Sequence, residues 1–198
     1  MKIEYYYGIP SPFAYLGSLR LQSIAKKYKA EIDEKPCDLV GGIFIKTGGI
    51  PVPKRSPQRQ KYRLDEIKRW SEFLNIKINS KPKFFPPKDP HLPAKFTIAA
   101  NLLGTKVVFG HELLKQLWSE EVDISEEKNI EKVSNNFKIN FTELSKLAKS
   151  ENVSKIYAEN TEEAIEKNVF GSPTYIFNNE LFWGQDRLEF LERALENA

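Results

Sequence analysis

Three short stretches carry side chains suited to meeting a ligand: Ser11-Pro12 in "YYYGIPSPFAYLG", Ser172-Pro173 in "VFGSPTYIF", and Gln185-Asp186 in "LFWGQDRLEFL". Ser11 follows an aromatic run and precedes an apolar helical pattern. That order places it as a helix N-cap with Pro12 at the first helical position, where the missing N–H is no loss. Ordinary capping accounts for Ser-Pro taken alone. Pro173, after Gly171-Ser172 and just ahead of a strand, stands where a cis peptide would present a backbone edge to an extended ligand. Asp186 and Glu189 are spaced as a capping box for the last helix, and the Asp186 carboxylate is also suited to an ammonium group. A hydroxyl at a helix N-terminus, an open strand edge and a carboxylate together suit a small extended molecule. Such a molecule would carry a thiolate at one end and an amino acid at the other, which describes glutathione.

Other chemistries are narrowed by what the chain lacks. One cysteine, Cys37, excludes an internal disulfide or a dithiol redox pair, and reads as a small hydrophobe in a buried strand. With only His91 and His111 besides, no Cys/His zinc spacing can be written. The 30 basic and 27 acidic residues are interspersed and leave a net charge of +3, so no nucleic-acid groove is expected. The densest basic patch, Lys54, Arg55, Arg59, Lys61 and Arg63, reads as a solvated helix face, with anion binding as the alternative. A hydrophobic fraction of 40% supplies a real core, while no apolar run approaches membrane-spanning length. The beginning "MKIEYYYGIPSPF" matches neither a signal peptide nor a transit helix, and a cytoplasmic protein is expected.

The elements that must position these residues follow from periodicity. "KIEYYY" is a short strand ended by Gly8, and a helix is expected from about Pro12 to Lys29. "AEIDEKPCDL" reads as a second strand, and "VGGIFIKTGGIPVPKRSP" as a long irregular loop. From Ser56 to Asn168 the pattern is almost wholly helical, interrupted by the proline-rich "SKPKFFPPKDPHLP", with Gly104 inside a resumed helix. "GSPTYIFNNELFWG" reads as strand, Asn-Asn turn, strand, and a helix closes the chain. The order β-α-β, helical block, β-β-α predicts an α/β, thioredoxin-like four-stranded mixed sheet. It carries a large all-helical insertion between strands 2 and 3. Residues 1–50 and 169–198 would form the thioredoxin-like domain, and 51–168 the inserted helical subdomain.

The segments "SPFAYLG", the "RW" helix, "VFGSPTYIF" and "LFWGQDRLEFL" occur in order over nearly the whole chain. In them the sequence resembles the 2-hydroxychromene-2-carboxylate isomerase and kappa-class glutathione transferase branch of the DsbA-like thioredoxin superfamily. DsbA-like oxidoreductases carry Cys-x-x-Cys where this chain has Ser11-Pro12-Phe13-Ala14, so disulfide exchange is excluded. The resemblance implies glutathione as cofactor, with Ser11 donating a hydrogen bond that keeps its sulfur a thiolate. It implies that Ser172, before a cis Pro173, pairs its backbone with the cysteinyl part. Gln185 and Asp186 match the segment that binds the γ-glutamyl end, and Arg59 falls at the family's lysine near glutathione. Gly49 stands about where the family carries an asparagine. Phe84 and Phe85 either line an aromatic substrate pocket or pack in the core.

The implied activity is isomerisation of the 2-hydroxychromene-2-carboxylate type, by reversible thiolate addition to a conjugated aromatic substrate. The alternatives are kappa-class conjugation of glutathione to small electrophiles, and non-catalytic glutathione or peptide binding. A homodimer is expected from the relatives, with neither nucleic acid nor membrane as partner. A serine hydrolase fits poorly, because Ser11 lacks a nucleophile-elbow context.

Overall fold

The computed structural model describes residues 1–198. Strand β1 (Lys2–Tyr7) lies inside a sheet of order β2-β1-β3-β4, with β2 at Glu31–Pro36, β3 at Thr174–Phe177 and β4 at Glu180–Trp183. Being central, β1 buries side chains on both faces. Tyr5 and Tyr7 stack at 4.4 Å on one face, while Tyr6 points to the other and joins Cys37 and Ile176. β1 and β2 run parallel, with Ile3 opposite Ile32, and β3 is antiparallel to β1, with Tyr175 opposite Tyr5. The parallel pair requires a crossover, which helix α1 (Pro12–Lys27) supplies. The β3–β4 turn is Asn178-Asn179, both at positive φ, the geometry that a two-residue hairpin turn demands.

Between β2 and β3 the chain is mostly helical: α2 (Phe44–Thr47), α3 (Pro57–Leu74), α4 (His91–Leu102), α5 (Val108–Trp118), α6 (Glu127–Asn136), α7 (Phe141–Ala148) and α8 (Glu151–Glu166). Helix α9 (Leu188–Glu196) closes the fold and packs Leu188, Leu191 and Leu195 under the sheet. One buried cluster joins the sheet and α1 to Leu114, Leu117 and Trp118 of α5. A second, containing Phe96, Phe109, Ile130, Leu144 and Val153, is built from the inserted helices alone. No helix is long and apolar enough to cross a membrane.

Four expectations from sequence are corrected. Helix α1 ends at Lys27 rather than Lys29, because Lys29 takes a left-handed φ of 53° that terminates it. Gly104 does not sit inside a helix: its φ of 97° breaks the segment, and α5 starts afresh at Val108. The loop after β2 is more ordered than its glycines and prolines suggest. Asp38 accepts from the Gly41 N–H at 2.8 Å and starts a helical turn at Leu39–Ile43, which leads into α2 through buried Ile43 and Phe44. Asp186 and Glu189 do not form a capping box. A 3-10 turn at Gln185–Arg187 leads into α9, Arg187 takes the cap position, and Asp186 lies within that turn.

Candidate active site

Ser11 has extended dihedrals (φ −83°, ψ 120°) and caps α1, its Oγ accepting from the Ala14 N–H at 3.2 Å. The same hydroxyl donates to the Ser172 carbonyl oxygen at 3.3 Å. Ser172 Oγ accepts from the Gly8 N–H at 3.1 Å, and the Ser11 N–H donates to the Gly8 carbonyl at 3.0 Å. These bonds stitch the β1–α1 junction to the segment before β3. The Ser172–Pro173 peptide is cis. Pro173 is held by its carbonyl, which accepts from the Gly184 N–H at 2.9 Å. The Ser172 N–H has no hydrogen-bond partner within the protein.

Ser11 and Ser172 open into a cleft of about 600 Å³. Its apolar walls include Phe44, Phe85 and a Phe170–Trp183 pair with ring centroids 4.7 Å apart. The indole of Trp183 lies over Gly171, where any Cβ would collide with it, so glycine is required there by close approach. Three arginines, Arg55, Arg59 and Arg63, line the cleft against one carboxylate, Asp38. Asp38 is already engaged with the Gly41 N–H, leaving the cleft with a net positive field. Arg55 donates from Nε to the Ile50 carbonyl at 2.7 Å. Burial, and then Arg55, bring Arg63 down to about 10 from the usual guanidinium value.

Of the residues singled out from sequence, Ser11, Arg59, Ser172 and Phe85 share this cleft. Phe84 does not line it and packs against the main core instead. Gln185 is only 1% exposed, set against α1 where Gly17 has no side chain, and lies outside the cleft lining with its amide oxygen unpartnered. Asp186 is half-buried beside Gly184, one residue beyond Trp183, and pairs with Arg187 at 3.4 Å. Pro173 is buried behind Ser172. Arg55 and Arg63, part of the basic patch that reads from sequence as a solvated face with anion binding as the alternative, also line the cleft. The available signal was their spacing: 55, 59 and 63 recur every four residues with no acid at those positions.

Other nucleophile chemistry finds no support in the geometry. Cys37 borders the cleft but is buried, and burial followed by the nearby Asp38 pushes its thiol up to about 12, so it stays protonated. His111 Nδ1 lies 2.7 Å from Ser18 Oγ, and His91 Nδ1 lies 3.1 Å from the Tyr157 hydroxyl. Neither imidazole is bonded to Ser11.

A parallel β-α-β unit joined to a β-β-α unit, with a cis-proline beside the first helix's N-cap, defines a thioredoxin-fold protein. The chain belongs to the DSBA-like thioredoxin domain family, whose pattern spans residues 2–196. It is 27% identical over 202 residues to a 2-hydroxychromene-2-carboxylate isomerase of Pseudomonas putida, covering 98% of this chain and 94% of that protein. It is 24% identical over 206 residues to glutathione S-transferase kappa 1 of Rattus norvegicus, covering 98% and 90% respectively. A solved 2-hydroxychromene-2-carboxylate isomerase superposes with a TM-score of 0.83 at 25% identity, covering all of this chain and 95% of that one. By name these relatives are enzymes, isomerases and glutathione transferases.

Proposed function

We propose that this protein is a glutathione-dependent isomerase of conjugated aromatic carboxylates of the 2-hydroxychromene-2-carboxylate type. The carrying observation is Ser11: a buried hydroxyl at the start of a sixteen-residue helix, opening into a cleft with excess positive charge. The residues present fit glutathione chemically. A hydroxyl donor and a helix N-terminus suit a thiolate, the unpartnered Ser172 N–H suits a peptide carbonyl, and exposed Arg59 suits a carboxylate. We assign the ammonium end to Asp186, which lies beside Gly184, next in the chain to cleft-lining Trp183. When bound, glutathione would supply a thiolate that adds reversibly to a conjugated carbon, so that a double bond becomes single, rotates and re-forms.

The chain's own contribution to that thiolate can be sized. The Ser11 hydroxyl now makes a long neutral bond to Ser172 O, at 3.3 Å. Turning it to a sulfur anion replaces a bond worth about 0.5–1.5 kcal/mol by one worth about 1.5–3 kcal/mol, a gain of about 1 kcal/mol. The α1 N-terminus adds about 0.3–1 kcal/mol, up to about 2 when partly buried. Together these lower a thiol pKa of about 8.5 by roughly 1–2 units. Ser11 thereby holds a nucleophile without attacking anything itself. Kappa-class conjugation would use the same thiolate; three arginines against one engaged carboxylate favour the anionic substrate of the isomerase.

Calorimetric titration of glutathione into wild type and Ser11→Ala, with thiolate absorbance followed against pH, tests this reading. Binding is expected with the thiol pKa lowered in wild type and back near its free value in Ser11→Ala. No binding at millimolar glutathione would overturn it, and a peptide ligand at the Ser172 edge would become the better account.

A further inference from the structure

Arg63 is 8% exposed, yet its guanidinium makes neither a hydrogen bond nor an ion pair within the protein. It lies over two aromatic faces, with Phe85 at 5.0 Å and Trp118 at 5.6 Å from the guanidinium carbon. Five N–H donors thus border the cleft with no acceptor in the protein, beside a second arginine, Arg55, that opposes rather than neutralises the charge. Buried charges are ordinarily paired, because desolvating one without a partner is costly. A cation–π contact returns only part of that. The side chain borders the same cleft as Ser11, whose lining also includes Phe85, Pro86, Pro87 and Pro90. A planar apolar body fits beside those rings, and the free donor fork matches a carboxylate held bidentately.

We propose that Arg63 is the specificity-determining residue for the second substrate, receiving the carboxylate of a flat aromatic acid that lies against Phe85. This rests on the site proposed above but concerns the other half of the cleft. Exposed Arg59 is left for glutathione, whereas Arg63, one turn further along α3 and buried, takes the compact substituent of the aromatic partner.

The test is calorimetric binding of trans-cinnamate and of its methyl ester, which keeps the ring and loses the charge. Cinnamate is expected to bind wild type, and to bind Arg63→Met about 10- to 100-fold more weakly, while the ester binds both alike. Arg63→Met is also expected to melt at or above the wild-type temperature, since an unpaired buried charge is exchanged for an apolar side chain of similar length. An arginine with a purely structural role would lower it. Arg63→Lys, which keeps the charge but loses the planar fork, is expected to weaken cinnamate several-fold while staying folded. Arg59→Met should weaken glutathione and leave cinnamate within about threefold, separating the two sources of carboxylate. Unchanged cinnamate affinity in Arg63→Met or Arg63→Lys overturns the proposal, as does absence of cinnamate binding to wild type. Cinnamate binding without glutathione binding would overturn the glutathione reading alone.

Discussion

Gly49 stands where the resemblance places an asparagine, and the structure gives a physical reason for the glycine. The Phe44 ring lies directly against its α-carbon, so that a Cβ there would fall on Cγ and Cδ1 of the ring. The backbone of Phe44 is fixed, since it starts α2 and its carbonyl accepts from the Gly49 N–H at 3.0 Å, so its ring can yield only toward the cleft. Introducing Gly49→Asn must overpack the contact or expel the ring. Overpacking costs about 1–3 kcal/mol. Expelling a phenylalanine forfeits about 1.5–3 kcal/mol of burial. For a domain of this size each kcal/mol lowers Tm by about 2–4 °C, so a fall of roughly 2–12 °C is expected. Thermal melts followed by circular dichroism measure it. The same melts on Phe44→Ala and on the double variant complete a cycle. Once the ring is gone the asparagine should cost almost nothing, giving a favourable coupling of about 1–3 kcal/mol. A Gly49→Asn protein melting within about 1 °C of wild type, or simple additivity in the double variant, would refute the packing account.

Two further predictions concern acid. His111 is buried against Tyr15 and Ser18, and burial lowers its pKa below 6.5, so the folded state resists a proton that the unfolded chain accepts. Stability should therefore decline as pH falls below 6.5, and the slope of Tm against pH between 7 and 5.5 should flatten in His111→Gln. Glu163 bridges Lys35 of β2 and Lys167 at 2.7 and 2.8 Å. Burial alone would raise its pKa, but bonds to Lys167, Lys35 and Tyr6 outweigh that and bring it to about 2. Its contribution is present above 4.5 and lost as pH falls toward about 2. The partial exposure of the site limits that contribution to about 1 kcal/mol or less. Urea midpoints at pH 5 and pH 2.5 should differ less in Glu163→Gln than in wild type.

Much of the architecture was legible because it is encoded over three or four residues. Ser11 and Ser56, each followed by proline, cap their helices through bonds to N–H groups three residues on. Asn178-Asn179 turns the hairpin with the left-handed dihedrals that asparagine tolerates. The aromatic, β-type run "KIEYYY" and the strand–helix order were enough for the four-stranded mixed sheet. Those signals depend on neighbouring backbone and survive without tertiary context.

The rest depended on elements distant in sequence. Nothing local distinguishes Phe84 from Phe85; both pack against the main core, but only the second also lines the cleft, according to how the proline-rich segment lies against Trp118 of α5. Gln185 and Asp186 looked like one binding pair, yet the close approach that Gly17 permits draws Gln185 inward and leaves its neighbour half-exposed. Arg59 and Arg63 share a spacing on α3, and only the packing of that helix decides that one faces water and the other is enclosed by Phe85 and Trp118. The sequence by itself determined which residue types stand at the β1–α1 corner. Tertiary packing decided which of the charged groups around it are buried, because desolvation is set by what covers a side chain and not by what precedes it in the chain.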